Sequence, residues 1–234
     1  MLTNRNDILQ NIKRQLQLHD GGNIEDEKAL RSEQQLHQRL TEKPKGILPK
    51  RGQGDLEARQ KEFISQAEKA FTHVELLPHY DEIPRAICQY IQQNQLPLEL
   101  RHGHHPLFNK LPWQNEPALI RHVGASNGDD LIGLSIATWG IAETGTLLLT
   151  SGKDNPTTLN FLPDVHMVIL ANEAILSHYE EGWAHLHNHY GDGNLPRMIN
   201  YITGPSRSAD IEQTLLLGAH GPRKLVVFIV ETMM

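Results

Sequence analysis

Residues able to do chemistry gather in a few glycine-bearing stretches of this chain. Glu143 lies in GIAETGTLLLTSG, between the small residues of a turn and the apolar run Leu147 to Leu149. A carboxylate placed there can act as a general base, or as a nucleophile towards an acyl group, once burial or the loop aims it. The same composition also makes a plain turn that feeds a buried strand. Downstream, TGPSRSADIE sets Ser206, Arg207 and Ser208 directly after Gly204 and Pro205. Read as the opening of a short helix, this segment offers free N–H groups and the planar Arg207 guanidinium to a carboxylate or phosphate. In the alternative reading a serine caps the helix and Arg207 pairs with Asp210 or Glu212. GAHGPR holds His220 in a glycine turn, and His166 sits inside the apolar run VHMVIL.

Several familiar sites are missing. Neither GxxxxGK[ST] nor GxGxxG occurs, so a P-loop and a dinucleotide fingerprint are unsupported. His185 and His189, four residues apart, share one helix face as two metal ligands do, yet a third ligand and HExxH are lacking, so no metal site is expected.

The elements that must position these residues read as an alternation of helices and short apolar runs. Asp55 is placed to cap a helix running to about Phe71, HVELL reads as a strand, Asp81 to Gln95 as a helix and Leu98 to Leu100 as a strand. ALIRHV, TLLLTS, VHMVIL, MINYIT, TLLLG and KLVVFIV are further strands, and the stretch Ile175 to Tyr190 reads as a crossover helix. Continuous apolar runs suit strands buried on both faces, which predicts an α/β fold with a mainly parallel sheet sandwiched by helices. Ligands of such sheets bind outside the carboxyl ends of the strands. Glu143, Ser206 and Arg207 are therefore expected to converge on one pocket there.

Residues 1–54 differ from the rest, with ten Lys or Arg against seven Asp or Glu in a chain whose net charge is −6. They read as a helical N-terminal appendage and linker, and residues 55–234 as the α/β domain. Ile8, Leu9, Ile12 and Leu16 form a narrow apolar stripe, too small to be stable alone and suited to docking on its own domain, a second copy or a partner.

At 234 residues the chain can bury a sizeable core. The acidic balance argues against a nucleic-acid partner. The start lacks the apolar core of a signal peptide, and Leu225 to Val230, the longest aliphatic and aromatic run, cannot span a bilayer; the expected location is cytoplasmic. The single cysteine, Cys88, cannot hold an iron–sulfur cluster by itself, and its place between Ile87 and Ile91 predicts burial.

Taken together, IAETGTLLLTSG, FLPDVHMVIL, TGPSRSADIE and GAHGPRKLVVFIV resemble, in order and spacing, the LUD-domain family and its lactate utilization protein C branch. The resemblance implies a fold of the NagB/RpiA/CoA-transferase class. It also implies a role in oxidation of L-lactate to pyruvate, alongside partner proteins that carry the iron–sulfur clusters, with no cofactor of this chain's own. Carried over by position, the signature residues include Thr144, Gly145 and Thr146 beside Glu143, Pro163 and His166, Gly204, Ser206, Arg207, Asp210 and Glu212, and His220. The resemblance assigns none of them a catalytic role. A stand-alone enzyme acting on a carboxylate thioester or a sugar phosphate, and a small-anion-binding regulator, are the alternative functions.

Overall fold

The computed structural model describes residues 37, 46, 48–191, 193–209 and 215–232. The chain divides into two compact units, Met1–Ile47 and Leu48–Met234; the elements below belong to the second. The apolar stripe at Ile8 to Leu16, and Asp210 and Glu212, lie outside the described residues.

Helix α1 (Leu56–Lys69) begins where expected, because the Asp55 carboxylate accepts the N–H of Ala58 at 2.9 Å and so satisfies one of the four orphan donors of the first turn. Its inner face buries Phe63 and Ala67. Strand β1 (His73–His79) leads into α2 (Ile83–Gln93), whose Ile83, Ile87 and Ile91 recur every four residues and form a fully buried stripe beside the buried Cys88. Burial pushes the Cys88 thiol up to about 11, as befits a core residue. There follow β2 (Glu99–His102), the single turn α3 (Leu107–Lys110), β3 (Ile120–Val123), β4 (Ile132–Ile136), β5 (Trp139–Ile141) and β6 (Thr146–Thr150). Next come β7 (Val165–Ala171), β8 (Ile175–Leu176), α4 (Tyr179–Tyr190), β9 (Ile199–Ile202), β10 (Arg207–Ala209), β11 (Leu215–Leu217) and β12 (Lys224–Thr232). No helix among the described residues is long and apolar enough to cross a membrane.

Six strands form one sheet in the order β1-β12-β7-β4-β2-β3, and every neighbouring pair is parallel. Its central strands are buried on both faces. In β12, Val226, Phe228 and Val230 pack with α2, while Leu225, Val227 and Ile229 pack with Phe63 and Ala67 of α1. Each large side chain buried in this way contributes roughly 1.5–3 kcal/mol relative to exposure, which explains why these strands read as unbroken apolar runs.

Three features differ from expectation. Ile175 and Leu176, read as the start of a crossover helix, form strand β8 paired with β5, and the helix begins only at Tyr179. TLLLTS and MINYIT do not join the parallel sheet; they lie in a second sheet, ordered β8-β5-β6-β9, in which β6 pairs antiparallel with both β5 and β9. The reason is connectivity: only residues 142–145 separate β5 from β6, and a parallel connection needs a crossover of a dozen residues or more. The segment after Ser206 is likewise not a helix among the described residues. Arg207–Ala209 pairs antiparallel with Leu215–Leu217, and the Ser206 N–H, expected to be free for an anion, donates to the Pro222 carbonyl at 2.8 Å.

Candidate functional site

The family-like loops gather around a cavity of about 300 Å³ lined by Asn160, His166, Tyr201, Thr203, Ser206, Arg207, His220 and neighbouring residues. They gather at the amino edge of the parallel sheet, not at its carboxyl edge. His166 is the second residue of β7, paired in register with Leu225, the second residue of β12, and with Gly133, the second of β4. The loops before β7 and β12, together with the end of β9 and the segment that follows it to Arg207, supply the rest of the wall.

Two glycines explain how the loops close. Gly145 has φ of +63° and a Cβ there would lie 2.2 Å from the Ala67 nitrogen; Gly204 has φ of +72° and a Cβ would lie 2.1 Å from the Ala70 carbonyl oxygen. Both loops thus rest on the C-terminal end of α1, where only glycine fits. The Ser206 carbonyl accepts the Gly218 N–H at 2.9 Å, which with the Ser206–Pro222 bond zips the PSR and HGP loops together.

The floor is polar. His166 is 1% exposed, and its Nε2 meets the Ser135 hydroxyl at 3.1 Å; Ser135 in turn donates to the Asn160 side-chain carbonyl at 2.9 Å. His166 Nδ1, Asn160 Nδ2 and the Tyr201 hydroxyl are buried without a hydrogen-bond partner. Burial lowers the His166 imidazole to about 3, so the ring is neutral at physiological pH. Tyr201 is pushed up to about 12, first by burial and then by Tyr179 beside it. At the mouth, the exposed Arg207 guanidinium stands 5.1 Å from the centre of the Phe71 ring. Buried polar atoms without partners are uncommon in native proteins and call for a partner, and here they line a cavity with a cation at its entrance.

The remaining signature residues act from behind. Thr146 is fully buried, and its hydroxyl contacts those of Thr144 at 2.7 Å, Tyr179 at 2.9 Å and Thr203 at 2.6 Å. Through this hub the ETGT turn holds Thr203, which lines the cavity. Glu143, 4% exposed, is directed elsewhere: its Oε1 accepts the N–H of Tyr179, the first residue of α4, at 3.2 Å. It is not among the residues lining the cavity, so the expected convergence of Glu143 with Ser206 and Arg207 is not found. The hairpin turn aims the acid at the positive end of a helix. Ser135, Asn160, Thr203, Tyr201 and Phe71 were not singled out from sequence. A lone serine in the apolar run of β4 was the one local signal.

A larger cavity, about 530 Å³, lies past the carboxyl end of β4. It is lined by His105, Thr138, Thr150, Lys153, Asp154, Asn155, His189 and Tyr190, among others, and by none of Glu143, Ser206, Arg207 and His220. It exceeds the motif cavity in volume but lacks its unpartnered histidine and arginine-bearing mouth, so the motif cavity is the stronger candidate. Among the described residues no group of three or more His, Cys, Asp or Glu is arranged to hold a metal ion. His185 and His189 instead pack against the Trp139 ring.

A family model described as the LUD domain matches residues 60–230. The chain belongs to the LUD-domain family. The match takes in the six-stranded and four-stranded sheets, save the last two residues of β12, and all the residues that line the motif cavity. Among similar proteins, lactate utilization protein C of Geobacillus sp. (strain WCH70) is 39% identical over 127 residues, covering 50% of this chain and 53% of that protein. Lactate utilization protein C of Bacillus licheniformis is 34% identical over 128 residues, 51% of this chain and 53% of that protein, and that of Bacillus subtilis (strain 168) is 32% identical over 128 residues with the same coverage. This LUD-domain chain thus spans about half the length of the curated relatives it matches. A crystal structure of a DUF162 family protein from Deinococcus radiodurans superposes with a TM-score of 0.59 at 19% identity, over 76% of this chain and 99% of that one, which supports the fold.

Proposed function

We propose that this LUD-domain protein acts in the oxidation of L-lactate to pyruvate as a component without a redox centre, binding a small carboxylate in the motif cavity while iron–sulfur partner proteins carry the electrons. The observation that carries the reading is the cavity itself. Arg207 at the mouth suits a carboxylate through two parallel N–H donors, and the floor supplies unpartnered hydrogen-bonding atoms to its other end. The kinship with lactate utilization protein C supports the choice of acid. With one cysteine, buried in the core, the described chain has no thiolate set for a cluster, so two-electron chemistry is assigned to the partners.

The test is direct titration of L-lactate into the protein and its Arg207→Ala variant. A lost charge-assisted hydrogen bond removes about 1.5–3 kcal/mol, a roughly tenfold to hundredfold weaker affinity. Unchanged affinity in Arg207→Ala sinks the assignment of the mouth. Deleting the gene should abolish growth on L-lactate, and Arg207→Ala should fail to restore it. The rival reading, a stand-alone enzyme, draws support from the larger cavity past the carboxyl end of β4, where α/β sheets commonly bind ligands. Lys153→Ala impairing lactate growth while Arg207→Ala does not would favour it.

A further inference from the structure

We propose that the buried string His166–Ser135–Asn160 makes the motif cavity selective for 2-hydroxy acids over the 2-oxo acids that their two-electron oxidation yields. The proposal rests on the reading of this cavity as a carboxylate site, and adds the group that tells substrate from product.

A serine hydroxyl has one proton to donate, and that of Ser135 goes to the Asn160 side-chain carbonyl at 2.9 Å. Ser135 Oγ can then only accept from His166 Nε2, 3.1 Å away, which places the ring proton on Nε2. Nδ1 is left as a bare lone pair with no partner, and Asn160, its carbonyl already engaged, keeps an amide N–H group with no partner. All three residues are at most 1% exposed, and both ends of the string line the cavity. The wall therefore offers one acceptor and one donor.

A 2-hydroxy acid satisfies both. Its hydroxyl donates to His166 Nδ1, the carboxylate accepts from Asn160 Nδ2, and the carboxylate's outer oxygen faces Arg207. A 2-oxo acid has no proton at that position and sets carbonyl lone pairs against the imidazole lone pair. The buried acceptor then stays unpaired, a defect that weakens binding by roughly tenfold to a hundredfold. A site of this kind holds the hydroxy acid and releases the oxo acid. Polar groups built to pair with a substrate hydroxyl discriminate far better than an apolar pocket does.

Calorimetric titration of the full chain with L-lactate, pyruvate and propionate reads the outcome. L-lactate should bind at least tenfold more tightly than pyruvate, with propionate, which lacks the C2 oxygen, also weaker than lactate. In Ser135→Ala the ring is free to carry its proton on either nitrogen, and the lactate-to-pyruvate ratio should fall towards one while carboxylate binding persists. Equal affinity for lactate and pyruvate in the unmodified protein overturns this inference and leaves the carboxylate reading standing. Tighter binding of pyruvate also overturns it, since that is the preference of the reversed string with the proton on Nδ1. Binding of none of the three acids removes both readings. Should Ser135→Ala fail to fold, ¹⁵N spectra of the His166 ring in the unmodified protein decide the point: a protonated Nδ1 would falsify the proposal.

Discussion

Phe71 holds an unfavourable backbone state beside Arg207. It follows the C-cap of α1, Ala70, with φ of +67°, a left-handed conformation usually left to glycine, and the residue is 66% exposed. The ring gains little there by burial; what it does is face the Arg207 guanidinium. Phe71→Gly should relieve roughly 1–2 kcal/mol of left-handed strain and keep or raise the melting temperature. It should also weaken L-lactate binding about two- to fivefold, because an exposed cation–π contact is worth ~0.5–1 kcal/mol. Calorimetry and thermal melting on the same variant separate the two effects. His166 couples the stability of the fold to pH. Its folded pKa lies near 3, against 6.5 ordinarily, so between those values the unfolded chain binds more protons than the folded one. Stability therefore falls as pH drops through that window. From pH 6.5 to 5 this one ring removes on the order of 2 kcal/mol, at 1.36 kcal/mol per unit. Denaturant curves of the wild type and His166→Leu should show a smaller loss in the variant; parallel losses would mean that the ring is protonated in the native state.

Between elements, the acid of the ETGT turn works as a tether. Glu143 joins the β5–β6 turn to the first N–H of α4, beside the hydroxyl hub of Thr144, Thr146, Tyr179 and Thr203. Its backbone N–H donates to the Ser177 carbonyl at 3.2 Å, so the turn is fixed from both ends. Glu143→Ala should cost about 1–2 kcal/mol, as loss of a helix-capping acceptor does. Glu143→Gln keeps an oxygen acceptor and gives up only the charge at the helix end, at most about 1 kcal/mol. Urea denaturation measures both. A general base at this position predicts a different pattern, with Glu143→Gln fully stable and growth on L-lactate abolished.

Across the whole molecule, the compact unit Leu48–Met234 contains both cores and the complete wall of the motif cavity among the described residues. We propose that the preceding residues serve to dock partner proteins, on the strength of the apolar spacing of Ile8, Leu9, Ile12 and Leu16. Removing Met1–Ile47 should leave a unit that melts cooperatively and binds L-lactate with unchanged affinity. The same truncation should no longer pull down iron–sulfur partners from cells grown on L-lactate. Undiminished co-purification would place the docking surface on the α/β unit instead.

Much of this was written locally in the chain. Asp55 capping α1, the four-residue stripe of α2, buried Cys88 and the unbroken apolar runs of β7 and β12 each follow from neighbours in sequence, because capping, helical period and two-sided burial are short-range signals. The four loop motifs likewise marked the family. Tertiary structure alone decided that β6 and β9 belong to a second sheet, since an apolar run reports burial but neither strand direction nor order. It also decided that the loops meet at the amino edge of the parallel sheet. The site's pairings are of the same non-local kind: Ser135 reaches His166 across 31 residues and Asn160 across 25, and Glu143 reaches Tyr179 across 36. Separations of that length carry no periodic signature, so the neutral histidine and the tethered acid exist only once the sheets have packed.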